Sequence, residues 1–317
     1  MNFSVVATEF PSLLLQGLAL GLIYALVALG YTMVYGVLRL INFANSEVFM
    51  LGTFATLTVQ TTFLGYTNVT EPIHGFKLVY SLLFCLVSSM LVSAFVAVLV
   101  ELVAYRRLRA KGANRLASLI SAIGVSIVLL EFVGLLTGSR PRSGARLLEK
   151  FSVFEFAGAN FRIDTLLSII LPIIIFIVLN RFVTKTRLGK SIRAVSMSEE
   201  NSKLMGININ RVITLTFVIG GLTTGVASFL FMTVYENTAF NVGFNIGIAA
   251  FTAAVLGGIG NLKGAFYGGI SLGLMEQFAS AVIGSQWKAV TVFVVLVLVL
   301  LFKPNGLFGE AVQQTRT

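Results

Sequence analysis

RFVTKTRLGKSIRAVSMSEENSKLMGININR, residues 181–211, is a polar island in a chain that otherwise reads almost entirely as membrane. It holds seven basic residues, Arg181, Lys185, Arg187, Lys190, Arg193, Lys203 and Arg211. It is also patterned like short helices. Gly189 opens a helix that runs to about Met197, with Ile192, Ala194 and Val195 on or near one apolar face. Ser198 then caps a second short helix beginning at Glu199 and Glu200, acids suited to a helix amino end, and Leu204-Met205 close it before Gly206. The pair makes a compact elbow, the kind of structured element through which a membrane protein answers to a soluble partner. The plain alternative is a solvated basic loop obeying the positive-inside rule. Gly189-Lys190-Ser191 imitates the end of a phosphate-binding loop, but Thr184 stands where the opening glycine belongs and no strand precedes it, so the match fails.

Outward from this island, composition sets the class. Of 317 residues 56% are hydrophobic and 11% charged, against about 25% charged in a soluble domain. The mean hydropathy of +0.92 agrees, and the chain is expected to be a polytopic integral membrane protein. The charge of +10 comes from 23 basic and 13 acidic residues. In a soluble chain it would suggest nucleic acid. Here the basic residues fall in a few inter-helix loops, where membrane topology puts them, and no nucleic-acid partner is expected. Cys85, the single cysteine, lies in an apolar run and reads as a packing residue. The first eleven residues have no basic start, and no small-residue cleavage site follows, so no cleaved signal peptide is expected.

A helical span needs roughly 20 mostly apolar residues. Candidate segments lie near 12–38, 47–64, 78–104, 116–137, 165–180, 212–235, 245–259, 264–283 and 288–302, giving eight or nine spans with the seventh short. The expected fold is an all-α transmembrane bundle forming one domain over 1–317. Loop 105–115, with Arg106, Arg107, Arg109, Lys111 and Arg115, and loop 181–211 are placed in the cytoplasm, and the carboxyl end beside Lys303 joins them. Loops 236–244 and 65–77 are placed outside. Loop 138–164 follows them by alternation, although it carries Arg140, Arg142, Arg146, Lys150 and Arg162, partly offset by Glu149, Glu155 and Asp164.

Small residues recur at four-residue spacing, Gly17, Gly21 and Ala25 on one face, Gly260, Gly264 and Gly268 on another, and Gly269 with Gly273 on a second ridge. Such rows let helix backbones pack closely in lipid. They adjoin two polar interruptions, Ile41–Glu47 and Gly257–Gly264. Short breaks of this kind either are interfacial turns or line a transporter's route. On the second reading Asn42, Asn45, Glu47, Gly257, Gly258 and Asn261 are the candidate pathway residues. Glu131 and Glu276 lie well inside apolar runs, where an ionised carboxylate costs about 2.5–3.5 kcal/mol on insertion scales. Each is expected to face a bundle interior, a cavity or a partner. Glu101, one turn before Arg106, reads as an interfacial residue of less interest. His74 and the Asn68-Val69-Thr70 triplet suggest nothing beyond local roles, and no metal cluster or catalytic apparatus is visible.

Four signatures carry a resemblance. The run GLALGLIYALVALGYTMVYG (17–36), with INFANSE (41–47) and MLG (50–52), resembles the amino-terminal signature of permeases in the branched-chain amino acid ABC importer family. So do RLGKSIRAV (187–195) with LMGI (204–207), AVLGGIGN (254–261) and FKPNGLFG (302–309), in family order over nearly the whole chain. The resemblance implies that the elbow is similar to the coupling helices that enter a groove on a cytoplasmic ATPase subunit. Gly189, Arg193, Ala194, Glu199 and Glu200 would dock there. It implies two ATPase subunits, a second related permease in a heterodimeric core, an external binding protein and an inner-membrane location. This chain would bind no cofactor, ATP-Mg being held by the ATPase subunits. Where the family usually has His-Gly this chain has Asn45-Ser46, so an imidazole is missing from that turn. Leucine, isoleucine and valine are the family default, and other neutral amino acids, amides or urea stay open. A passive channel or ion-coupled carrier could use the same broken helices but has no need of the elbow. A membrane-embedded enzyme would need a polar cluster facing Glu131 and Glu276.

Overall fold

The computed structural model describes residues 9–66, 75–149, 152–156 and 159–309. His74 and the 68–70 triplet lie outside them. The first half holds α1 (Phe10–Leu38), α2 (Asn45–Thr58), α3 (Phe76–Val100), α4 (Arg107–Ala110), α5 (Arg115–Thr137) and α6 (Ile163–Lys185). A π turn, Val59–Phe63, prolongs α2, and a second, Glu101–Arg106, joins α3 to α4. The elbow follows as α7 (Arg187–Met197) and α8 (Glu199–Leu204). Then come α9 (Ile209–Tyr235), α10 (Val242–Gly257), α11 (Leu262–Ile283) and α12 (Lys288–Phe302).

Six of the described helices are long and apolar enough to cross a membrane: Phe10–Leu38, Phe76–Ala110, Leu116–Thr137, Ile163–Lys185, Ile209–Tyr235 and Ser285–Phe302. The expected segments at 47–64, 245–259 and 264–283 are helical but do not meet that standard, so a multi-pass bundle stands while a count of eight or nine is not confirmed. The α-helical part of α2 has 14 residues and α10 has 16, about 21 and 24 Å of rise against a hydrocarbon core of about 30 Å. α11 is long enough, at 22 residues, but glycine-rich. All three lie inside the bundle, where neighbouring helices rather than lipid must be matched.

Burial orders the layers. The most apolar windows of α1 and α9 are 83% and 72% buried, and those of α5 and α12 only 17% and 6%, which puts the first pair at the centre and the second at the rim. α11 packs against α1 along the small-residue rows read in the sequence. A Cβ on Gly21 would sit 2.8 Å from the Gly269 carbonyl oxygen, and one on Gly269 would sit 2.6 Å from the Ala25 Cβ. The other face of α11, at Gly264 and Gly268, meets α10 at Gly257 and Ala253 just as closely.

Hydroxyls knit α2, α3 and α9 together. The Ser89 hydroxyl of α3 donates to the Gly225 carbonyl of α9 (2.8 Å), and the Ser228 hydroxyl of α9 donates to the Phe49 carbonyl of α2 (2.8 Å). The Ser93 hydroxyl reaches the Val48 carbonyl at 3.2 Å. In a bundle held in lipid such bonds add to close packing as a source of association.

Small β pieces, which the all-α expectation did not include, tie the connecting loops together. β1 (Arg142–Ser143) pairs antiparallel with β4 (Asn237–Thr238), and β2 (Ser152–Phe156) with β3 (Ala159–Arg162). The Gly144 amide donates to the Glu236 carbonyl (2.8 Å), and Arg146 pairs with Glu236 at 3.5 Å. Residues 142–146 therefore lie on the same face as 236–238, at the opposite end of α9 from the elbow.

Replacing Gly21 with leucine is expected to force α1 and α11 apart, at a cost above the 1–3 kcal/mol typical of overpacking because backbone is what it meets. Gly36→Leu, at a site in the same helix with nothing within 4 Å of its Cβ, should be tolerated. Fluorescence size-exclusion of detergent extracts checks this: the Gly21 variant should lose its monodisperse peak and the Gly36 variant keep it.

Candidate functional site

The elbow is rigidly built from its caps outward. The Thr186 hydroxyl accepts from the Gly189 amide (3.0 Å), so α7 begins at Arg187, two residues before the expected start, because the cap residue is a threonine the reading passed over. The Ser198 hydroxyl accepts from the Asn201 amide (3.2 Å), as expected. Asn208 caps α9 through the Arg211 amide (3.2 Å). Ile192 and Val195 are buried beneath α7. Gly189 is buried as well, pressed against the last turn of α6 at Phe182 and Val183. Arg193, Glu199 and Glu200 are exposed and Ala194 half-buried. The Arg193 guanidinium donates back to the Thr184 carbonyl (3.2 Å), clasping the elbow to α6.

Sequence reasoning missed the elbow's tip. Met197, Leu204 and Met205 are 82%, 85% and 84% exposed, large apolar side chains on a polar element. A signal was present: Leu204-Met205 closes a helix in which no apolar partner residue is spaced to cover it. Large exposed apolar side chains grouped in this way mark interaction surfaces.

Glu101, which seemed the least interesting acid, anchors the elbow's base. It is fully buried and takes Arg106 (3.2 Å) and Arg109 (3.5 Å) on one oxygen, while the Thr214 hydroxyl of α9 lies 3.3 Å from the other. Arg106 also donates to the Thr214 hydroxyl, and Arg109 to the Asn210 side-chain oxygen, both at 2.8 Å. This network locks the end of α3 to the start of α9. The sequence placed the acid beside its basic neighbours, but the π turn that swings Arg106 back toward it leaves no mark in spacing.

The polar residues of the first interruption are buried. Asn42, Asn45 and Glu47 are 2%, 2% and 1% exposed, so their polar groups face protein. The Tyr105 hydroxyl donates to the Asn42 side-chain oxygen (3.3 Å), the Thr224 hydroxyl to that of Asn45 (3.4 Å), and the Ser126 hydroxyl of α5 to Glu47 (3.2 Å). Among the described residues the Asn45 side-chain nitrogen and the second Glu47 oxygen have no partner. Gly243 and Gly247 of α10 make room for Ser46, since a Cβ on either would run into it. The amino ends of the two short helices α2 and α10 thus abut inside the bundle.

The second interruption lies elsewhere. From Gly243 to Gly257 is about 21 Å along α10, so the two breaks do not meet. Gly257 and Gly258 lie under the carboxyl segment, where the Leu307 amide donates to the Leu256 carbonyl (2.8 Å) and the Phe308 amide to that of Gly257 (3.1 Å). Gly258 needs its positive φ of 102° there. The Asn261 side chain accepts from the Lys263 amide (3.0 Å) to cap α11 and donates to the Phe308 carbonyl (3.0 Å). Glu276 is buried and accepts from the Tyr24 hydroxyl (2.9 Å), a hydroxyl pairing weighed in the sequence. Glu131 lies exposed on α5 with no partner among the described residues. No group of three or more histidine, cysteine, aspartate or glutamate side chains among the described residues is placed to hold a metal ion.

A bundle of apolar helices around two short inner helices with abutting amino ends, carrying a structured elbow at one end, defines a multi-pass membrane transport subunit. Comparison with known proteins places it more closely. The family described as branched-chain amino acid transport system, permease component, matches residues 13–301, and the chain belongs to that family. It is 40% identical to the high-affinity branched-chain amino acid transport system permease protein BraD of Pseudomonas aeruginosa, over 94% of this chain and 95% of that one. It is 37% identical to LivH of Escherichia coli K12, named in the same terms, over 95% and 96% of the two chains.

Glu101→Leu should destabilise the protein by about 2–3 kcal/mol, less than the 3–5 of a fully dry pair because Arg106 and Arg109 keep some water. Thermal unfolding in detergent should show a fall in Tm of several degrees, with protease cutting first near the α8–α9 junction. An unchanged Tm would remove Glu101 from its anchoring role.

Proposed function

We propose that this chain is a permease subunit of an ABC importer in the bacterial cytoplasmic membrane, moving branched-chain or other neutral amino acids handed over by an external binding protein. ATP-Mg is held and hydrolysed by two separate ATPase subunits, and a second, related permease completes the core. The observation that carries the reading is the elbow, clasped to α6, α9 and α1 and ending in an exposed apolar tip. Arg193, Ala194, Glu199 and Glu200, with Met197, Leu204 and Met205, form the surface that enters the ATPase groove. Gly189 sets the angle at which the elbow leaves α6.

Force applied there has a short path inward. The Arg39 guanidinium donates to the Ser196 carbonyl of α7 at 3.1 Å, and Arg39 closes α1 in a left-handed conformation (φ 51°). The Asn42–Glu47 break begins three residues later. Closure of the ATPase pair would move the elbow, the elbow would move Arg39, and the break would shift against α10. The abutting helix amino ends, with their positive dipoles, suit the carboxylate of an amino acid, and Glu47 its ammonium group. In this reading α2, α10 and α11 complete the eight or nine membrane-depth segments, with 138–164 outside. Gly257, Gly258 and Asn261 seat the carboxyl segment at the cytoplasmic end of α10.

Purification of the tagged chain together with the proposed partner subunits in mild detergent tests docking. Met205→Asp and Arg193→Glu should each lower the co-purified ATPase at least tenfold, and Lys77→Glu on the opposite face should not. Retention of the ATPase by both elbow variants would refute the docking surface. Arg39→Ala should keep the ATPase bound and hydrolysing while uptake of labelled leucine into reconstituted vesicles drops several-fold. Equal losses of hydrolysis and uptake would remove Arg39 from the coupling path.

A further inference from the structure

Glu276 is a buried carboxylate outside the proposed route. It stands seven residues before the end of α11, about 10 Å along the axis, and is 4% exposed. One oxygen accepts from the Tyr24 hydroxyl at 2.9 Å, and the other has no hydrogen-bond partner among the described residues. A single neutral hydroxyl is thin compensation for an acid at that depth, where a carboxylate normally faces a partner or a cavity.

Here there is a cavity. A space of about 310 Å³ opens between α10, α11 and α12, with Glu276 and Tyr24 in its wall. Its size is at the small end of the roughly 300–1,000 Å³ of pockets that hold small molecules. Ile246, Ile248, Val292 and Phe293 give it an apolar lining, and Lys288, the half-buried first residue of α12, brings a positive charge. Lys288 makes no salt bridge with Glu276, yet its charge is near enough to act on the carboxylate. Its ammonium group has no hydrogen-bond partner among the described residues. The two charges thus share one space without neutralising each other in contact. A neighbouring cavity of about 460 Å³, lined by Gln16, Asp164, Tyr235 and Gln277 at the end of the bundle remote from the elbow, also borders Lys288.

The polar break lies on a different face of α10. Gly243 and Gly247 turn toward Ser46, whereas Asn245, Ile248 and Ala249 line the cavity. A carboxylate, an ammonium group and an apolar lining in one small space call for a ligand that carries the converse groups. We infer that this pocket binds a zwitterionic α-amino acid with an apolar side chain. Its ammonium group bonds Glu276 and the Tyr24 oxygen, which has acceptor capacity to spare. Its carboxylate meets Lys288, and its side chain lies against Ile248, Val292 and Phe293. Binding is read from the pocket itself; only its use as a station ahead of the Asn42–Glu47 break rests on the importer reading. A zwitterionic lipid head group carries the same pair of charges, and the test separates the two.

Trp287, the single tryptophan of the chain, adjoins Lys288 and serves as the reporter. The purified full chain is placed in nanodiscs of phosphatidylglycerol, which has no amine, and titrated with leucine. A saturable change in tryptophan fluorescence is expected. Leucinamide, which lacks the carboxylate, and isocaproate, which lacks the ammonium group, should need at least tenfold higher concentrations. This series needs no variant, so it decides the matter whether or not every substitution folds. Glu276→Gln and Lys288→Met should each weaken the leucine response at least tenfold, and in the second leucine should lose its advantage over leucinamide. Glu47→Gln, at the break, should leave the response within twofold. A wild-type chain that gives no response to leucine, that responds equally to the amide and the acid, or that responds only to phosphatidylethanolamine in the bilayer would overturn the inference. A chain that responds to leucine but co-purifies with no ATPase would keep the pocket and sink the importer reading.

Discussion

The closeness of α11 to α1 and α10 conditions the rest of the bundle. Lipid offers no hydrophobic drive for one apolar helix to leave acyl chains for another, so association needs van der Waals contact at short range and polar bonds. Gly21, Gly269 and Gly273 supply the first by letting backbone lie on backbone, and the opposite face of α11 repeats the device against α10. With both contacts made, α1 is enclosed on most sides. That enclosure is what allows a polar turn to follow it at Asn42–Glu47, because backbone and side-chain polar groups there meet protein instead of hydrocarbon. Remove the close approach and the turn would be left facing lipid.

The same logic sorts the acids by what surrounds them. Glu101 has two guanidinium groups and a hydroxyl, Glu276 a tyrosine, and Glu47 a pair of serines at a helix amino end. Each finds at least one partner within the chain. The hydroxyls of Ser89, Ser93 and Ser228 do similar work at lower cost, linking α2, α3 and α9 where backbones are close enough for one oxygen to reach a neighbouring carbonyl. These bonds hold α2, with only 14 α-helical residues, firmly inside the bundle although it is too short to be secured by spanning.

Much of this was legible in the sequence, and the limits are instructive. Four-residue rows of small side chains can only serve contact, so the α1–α11 ridge could be read directly. Ser198 before two glutamates fixes a helix start by local hydrogen bonding, so the elbow's second half was readable too. The count of eight or nine spans is not confirmed, because hydropathy stops reporting on lipid where α2, α10 and α11 pack largely against protein and their composition answers to packing. The role of Glu101 was hidden because a π turn changes which residues face one another without changing composition. The pairing of the carboxyl segment with Gly257 and Gly258 spans about fifty residues and rests on backbone amides, which leave no side-chain signal. The exposed apolar residues of the elbow were only partly readable, since the exposure of Met197 depends on how α7 packs on α6, α9 and α1.

If the chain couples a soluble motor to a membrane route, as proposed, it must be stiff where force is applied and soft where the route changes. The elbow meets the first demand, with caps at Thr186, Ser198 and Asn208, a clasp from Arg193 to α6, and the Glu101 network beneath it. The Asn42–Glu47 segment meets the second. Its side-chain bonds to the neighbouring helices are few, coming from Tyr105, Ser126 and Thr224. Two of its polar atoms have no partner among the described residues, so it has less to lose in moving. Between the two stands one side chain, Arg39, bonded to the elbow and continuous with the break. In the proposed importer, movement of the elbow would be expressed at the junction of α1, α2 and α10, while the glycine contacts of α11 hold their register.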